Sequence, residues 1–188
     1  MSLFSRFLPK NEDRSLPRFT YHPDPIATGM LKQKDTRCPC CEKKTAVAYA
    51  RTPYCEAEVE DLCPWCIADG SAARKFDAMF VDDHPLVKAG LKQEIIDEVV
   101  RRTPGYISWQ QDSWLVCCDD ACEFHGDLKK EEMTLLPHET IARFKKEHRV
   151  DDLIWSQLLD EYAPGGSPAI YKFVCRHCRK IHLGFDFD

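Results

Sequence analysis

Two Cys-x-x-Cys pairs, Cys38-Pro39-Cys40-Cys41 and Cys63-Pro64-Trp65-Cys66, stand 21 residues apart in a chain that has eleven cysteines among 188 residues. A two-residue spacer lets a tight turn aim both thiolates at one ion about 2.3 Å away. Two such turns joined by a hairpin make a tetrahedral Cys₄ zinc site of the ribbon type, whose usual interval between pairs is about 15–20 residues. The interval here is a little beyond that range, and the doubled Cys-x-x-Cys pattern predicts zinc on Cys38, Cys41, Cys63 and Cys66.

Cys63-Pro64-Trp65-Cys66 also has the form of a redox dithiol at the mouth of a helix. That chemistry needs an environment that lowers the first thiol's pKa. The preceding residues, Glu58-Val59-Glu60-Asp61, are acidic and act the other way. The first pair moreover repeats the pattern, which an isolated redox dithiol does not require. Thiol oxidoreductase activity is the weaker reading.

The remaining cysteines suggest a second zinc site built from Cys118, Cys122, Cys175 and Cys178, across an insertion of 52 residues. Adjacent residues of a strand face opposite sides, so only one of Cys117 and Cys118 is expected to ligate, and Cys117 is an alternative to Cys118. His125 or His177 could replace a thiolate. Cys40, Cys55 and Cys117 are left as spare thiols, which ordinarily behave as small buried apolar residues. All-sulfur sites are closed, whereas catalytic zinc keeps an open position. No His-x-Glu, His-Glu-x-x-His or phosphate-loop pattern occurs. An enzyme is not expected.

Composition narrows the partners. Lys plus Arg number 26 against 31 Asp plus Glu, a net charge of −5, which disfavours nucleic-acid phosphates. The best basic run is "RFKKEHR" at 143–149, and its cations spread around a helix axis instead of forming a stripe. A zinc-ribbon nucleic-acid-binding or regulatory protein is thus the second reading. No apolar run approaches the length of a membrane span, and the N-terminus lacks the apolar core of a secretory signal. The expected compartment is the cytosol, where disulfides are rare and cysteine-rich chains bind metal.

Residues 1–18 read as a leader, with Leu3, Phe4, Phe7 and Leu8 on one face of a short helix, and residues 19–188 as one zinc-binding domain. Pro23 and Pro25 favour an extended segment ending in a turn at Gly29. A strand pair is expected between the first two knuckles, where Glu56, Glu58 and Glu60 would line one strand face with Asp61 close by. Helical patterns cover 67–80, 81–102 (apolar at Leu91, Ile95, Ile96, Val99 and Val100), 137–149, and 151–163 with Asp151 or Asp152 as cap. "YISWQQDSWLVCC" is strand-like, and the tail is strand, knuckle, strand. The class is α+β, with zinc-ribbon-like hairpins stapled by Cys₄ sites and about four helices inserted between them.

Taken in order, "YHPDPIATG", "LCPWCIADGSAARKF", "CCDDACEFHG" and "FVCRHCRKIHLGFDFD" make residues 19–188 resemble the CbrC family of bacterial proteins. The resemblance implies a role in tolerance of a nuclease-type colicin and attaches no enzymatic reaction. It also implies relatives that act as immunity proteins beside secreted toxins. The expected partner is then a protein, a basic toxin or nuclease domain, with Glu56, Glu58, Glu60 and Asp61 as candidate contacts because complementary charge speeds encounter.

Overall fold

The computed structural model describes residues 15–188; the amphipathic face at Leu3, Phe4, Phe7 and Leu8 lies outside the described residues. An extended segment, anchored by buried Phe19 and Tyr21, runs into a turn that Asp24 closes by accepting from the Ala27 N–H at 2.9 Å. Gly29 leaves this turn at φ 77°. Two strands follow, β1 (Leu31–Arg37) and β2 (Lys44–Tyr49), paired antiparallel with Leu31 opposite Tyr49. The first cysteine knuckle is the turn that joins them.

This pairing corrects the expected strand pair. β2 lies where a strand was expected, but its partner precedes the first knuckle. Residues 55–62 form no strand. Pro53 breaks the run, Tyr54 makes only an isolated bridge to Met79, and Asp61 is left-handed at φ 58°. Glu56, Glu58 and Glu60 are exposed but line no strand face.

The two expected helices after Cys66 are each divided in two, giving α1 (Pro64–Ala68), α2 (Ser71–Phe76), α3 (His84–Lys88) and α4 (Gln93–Arg102). The breaks fall at Gly70 and Gly90, at φ 72° and 71°, a conformation open to glycine and costly within a helix. α4 holds four of the five predicted apolar positions and buries Ile96, Val99 and Val100 against the core, while Leu91 precedes the helix. Of the strand-like stretch that follows, only β3 (Val116–Cys117) is regular, and it forms a minimal hairpin with β4 (Asp120–Ala121).

β5 (Glu123–Asp127), β6 (Ala169–Val174) and β7 (Ile181–Asp186) make a three-stranded antiparallel sheet in that order. Between β5 and β6 lie α5 (Lys130–Met133), α6 (His138–His148) and α7 (Asp152–Glu161). The Asp151 carboxylate caps α7 by accepting from the Ile154 N–H at 2.8 Å. The fold is therefore α+β with small antiparallel sheets, and seven helices among the described residues. None is long and apolar enough to cross a membrane.

Strand alternation places a core on each face of this sheet. Tyr171, Phe173 and Phe124 join Tyr106, Trp114 and the β1–β2 and α1–α4 residues on one side; Ile170 and Leu183 join Phe144, Trp155 and Leu158 of the inserted helices on the other. Tyr106 stacks on Phe124 with centroids 4.5 Å apart, and Trp114 meets Phe173 edge-on at 5.7 Å. The Trp114 indole N–H donates to the Cys122 carbonyl at 2.8 Å, so its one polar atom is satisfied in the core.

His22 pins the N-terminal segment to this core. Its Nδ1–H donates to the Pro104 carbonyl at 2.9 Å and Nε2 accepts from the Thr28 hydroxyl at 2.7 Å. Burial pushes its pKa down to about 4. The unfolded chain takes up a proton near the ordinary value of about 6.5, so His22 favours folding fully above that pH and loses this contribution as pH falls toward 4. The stability gap between wild type and His22→Gln should narrow by about 2 kcal/mol between about pH 7 and pH 5. Thiol protonation, common to both proteins, cancels in that difference. An unchanged gap would show that folding leaves His22 unperturbed.

Candidate metal centres

The first knuckle runs Cys38–Lys43. The Cys38 N–H donates to the Lys43 carbonyl at 2.9 Å, the Glu42 N–H donates to the Cys38 carbonyl at 2.8 Å, and Glu42 is left-handed at φ 59°. The knuckle between β6 and β7 repeats the construction: Cys175 N–H to Lys180 carbonyl at 2.9 Å, Arg179 N–H to Cys175 carbonyl at 3.1 Å, and Arg179 at φ 59°. Each turn presents two sulfurs on the same side of a hairpin tip.

At the first centre, Cys63 and Cys66 of the α1 N-terminus meet the first knuckle. Cys38, Cys41, Cys63 and Cys66 offer sulfurs that all lie within 4.8 Å of one another, with Cys41 and Cys63 at 3.9 Å. Pro64 starts α1, where a missing N–H costs nothing. The Cys63 N–H donates to the Cys38 sulfur at 3.3 Å. Lys75 clamps the knuckle from α2, donating to the carbonyls of Pro39 and Cys40, each at 2.9 Å. Trp65 is half-buried against the core, its Nε1–H donating to the Ser15 carbonyl at 3.2 Å.

The second centre differs from expectation in one ligand. The four sulfurs brought together are those of Cys117, Cys118, Cys175 and Cys178. Cys117 lies 3.7 Å from Cys118 and 3.8 Å from Cys178. Cys122 is not in the group: it is fully buried in the aromatic core, and burial pushes its thiol up to about 12. The argument from strand alternation fails because the strand ends at Cys117. Cys118 and Asp119 form the two-residue turn of the β3–β4 hairpin, both left-handed at φ 55° and 58°, as a type I′ turn requires. The turn swings Cys118 back beside Cys117.

His125 and His177 do not replace a thiolate. His125 meets Glu123 at 3.2 Å, and His177 donates Nε2–H to Asp120 at 2.8 Å. Asp120, which the sequence reading passed over, is a buried hub: Oδ2 accepts from Arg176 and His177, each at 2.8 Å, and Oδ1 from the Tyr21 hydroxyl at 2.7 Å and the Ala121 N–H at 2.8 Å. Burial opposes its ionisation, but these donors outweigh burial and hold the pKa below the usual carboxylate value. No local pattern announces it, since its side-chain partners lie more than fifty residues away. Of the spare thiols, Cys40 faces Ser71 and Cys55 donates to the Ala57 carbonyl at 3.1 Å.

Both groups fit a tetrahedral ion. A metal–sulfur distance of about 2.3 Å sets a sulfur–sulfur edge of about 3.8 Å, and the close pairs lie at 3.7–3.9 Å. The donor set is soft, which suits zinc. Without an ion the sulfurs share protons unequally. The Cys63 thiol, donating to Cys38, and nearby N–H groups together hold Cys38 near 4 against the effect of burial, while burial lifts Cys66 to about 12. At Cys175 burial is outweighed by the Cys178 and His177 N–H groups and by neighbouring thiols, which bring it to about 6. A bound ion would ionise all four thiols of a group and expel their protons.

A groove of about 280 Å³ beside α7 is lined by Ile154, Leu158, Tyr162 and Pro168 among others and holds one carboxylate, Glu161, but no cysteine or histidine. The chemistry-bearing side chains gather at the knuckles. The molecule is thus of the class of α+β proteins with paired tetra-cysteine clusters able to bind metal. The profile of UPF0167, an uncharacterised protein family, matches residues 16–187, and the chain belongs to that family.

It is similar to UPF0167 protein PA1536 of Pseudomonas aeruginosa, at 48% identity over 174 residues, covering 92% of this chain and 97% of the relative. UPF0167 protein Mb2317 of Mycobacterium bovis and UPF0167 protein MT2352 of Mycobacterium tuberculosis are each 36% identical over 178 residues, covering 92% of this chain and 93% of their own. No solved structure matches. Neither the family description nor these names mention CbrC or colicin tolerance.

The ligand assignment makes a direct prediction. Cys122→Ala should retain the metal content of the wild type, whereas Cys117→Ala should lose one ion per chain, read by elemental analysis of the purified proteins. Loss of an ion in Cys122→Ala with full retention in Cys117→Ala would reverse the assignment.

Proposed function

We propose that this chain is a cytosolic, non-catalytic module, stapled by two zinc ions, that acts by binding another protein. The observation that carries this reading is the four-sulfur composition of both clusters. Four thiolates fill a tetrahedron and leave no position for substrate or activated water. Activity then rests on surface recognition. In keeping with the resemblance to the CbrC family, the function proposed is tolerance of, or immunity to, a colicin-type toxin by complex formation with its basic nuclease domain.

The charge distribution supports a cationic partner. The chain carries −5 overall. Glu56 and Glu58 are exposed and form no ion pair among the described residues, whereas Asp61 is occupied by Lys34 at 2.7 Å. The candidate contact is therefore the irregular segment at Glu56, Glu58 and Glu60, without Asp61. Nucleic-acid binding gains no support from the basic runs: Lys145 pairs with Asp152, Arg179 with Glu123 and Lys180 with Glu139.

Protection of cells or of a nuclease substrate should saturate at about one molecule per toxin domain. Replacing Glu56, Glu58 and Glu60 together by lysine should weaken binding roughly tenfold or more, chiefly through slower association and most at low salt, with metal content and fold unchanged. Protection at far below one molecule per toxin would contradict the binding account and favour an enzyme. Unchanged binding by the triple variant would remove this segment as the contact.

A further inference from the structure

The two clusters are built alike but set differently in the fold. Cys38, Cys63 and Cys66 of the first are 0%, 4% and 4% exposed, and its fourth cysteine, Cys41, is half-buried. At the second, Cys118 and Cys178 are exposed, Cys117 is half-buried and only Cys175 is fully covered. We propose that the second centre is an exchangeable site for a thiophilic divalent cation, kept ready for refilling by Asp120, while the first is a permanent staple. This rests on reading both clusters as metal sites.

Access is the first half of the argument. A ligand exchanging a tetrahedral thiolate-bound ion must reach the metal between the sulfurs. At the second centre two sulfurs lie at hairpin tips in solvent: Cys118 in the β3–β4 turn, and Cys178 in the knuckle, where residues 176–180 are all exposed. An incoming thiolate or chelator can attack there without unfolding any element. Each metal–sulfur bond that breaks is replaced by a bond to the incoming ligand, each thiolate left behind takes a proton from water, and no electron moves. At the first centre Cys41 alone is partly exposed, and reaching the other three sulfurs requires α1, with its fully buried Ile67, to lift from the core.

Retention of shape is the second half. The metal at the second centre would join the β3–β4 hairpin to the β6–β7 knuckle. Asp120 joins the same two segments without metal: it stands on the hairpin opposite Cys117 and holds Arg176 and His177 of the knuckle. Tyr21 locks it from the N-terminal segment, and Arg179 meets Glu123 at 3.2 Å next to it. When the ion leaves, the hairpin stays beside the knuckle and the four sulfurs remain in reach of a new ion. Asp120 is a positioning residue, acting through the segments that carry the thiolates.

The test uses the full chain loaded with two equivalents of zinc and challenged with excess chromogenic chelator. Metal is counted first: a chain that folds normally and holds fewer than two equivalents overturns the two-centre reading, and the proposal with it. With two bound, one equivalent should leave in a fast phase and the other in a separate slow phase. Cys178→Ser should abolish the fast equivalent and keep the slow one, with unchanged circular dichroism. Refilling with Co²⁺ should give sulfur-to-cobalt charge-transfer absorption for one equivalent. Asp120→Asn should weaken that refilling roughly 10- to 100-fold, the usual effect of removing an outer-shell partner, while leaving the slow equivalent in place. Release of both equivalents at one rate, or a fast equivalent that survives Cys178→Ser, overturns the proposal. Refilling of Asp120→Asn at wild-type affinity would overturn the role of Asp120.

Discussion

Four thiolates within 4.8 Å of one another repel. At an effective dielectric constant of about 20, each pair at about 4 Å costs about 4 kcal/mol, and a tetrahedron has six pairs. Such a group is stable either with its protons shared or with a cation at its centre. Every local feature around the knuckles serves the convergence of these sulfurs: left-handed Glu42 and Arg179, the Cys118-Asp119 turn, and the proline-started α1. The hairpins and helix that carry them would have little reason to meet at these points otherwise.

What the convergence secures is the long-range order of the chain. An ion on the first cluster would fasten α1 to the β1–β2 hairpin, beside which α2 to α4 pack over one face of the core. An ion on the second would fasten residues 117–118 to 175–178 across an insertion of three helices. β6 holds the two cores on its opposite faces, through Tyr171 and Phe173 on one and Ile170 on the other. A clasp at the end of β6 therefore fixes the inserted helices and the aromatic core in the same step. Burial of Trp114, Phe124 and Phe173 provides the apolar driving force, and the clusters restrict which chain segments can share it.

The sequence spoke most clearly where chemistry and spacing coincide. Cys-x-x-Cys predicts a knuckle from bond lengths alone, and all four residues of the first cluster and both of the C-terminal knuckle are found together. It spoke less clearly where one backbone conformation redirects the chain. Two left-handed residues bring Cys118 beside Cys117 and leave Cys122 to the core, and "CCDDAC" contains no glycine or asparagine to announce such a turn. Gly70 and Gly90 did offer a signal, since a glycine inside a helical pattern often marks a break. The acidic alternation at Glu56, Glu58 and Glu60 imitated a strand face in a segment that has no strand partner. Asp120 was illegible because its meaning lies in Tyr21, Arg176 and His177, which only the folded chain brings to it.

The central claim is that both clusters are all-sulfur metal centres. X-ray absorption at the zinc edge of the wild-type protein, combined with metal counting, tests it most directly. The account predicts two zinc ions per chain, each with four sulfur neighbours at about 2.3 Å and no nitrogen or oxygen in the first shell. A normally folded protein with less than one zinc per chain, or a first shell containing nitrogen or oxygen, would contradict it.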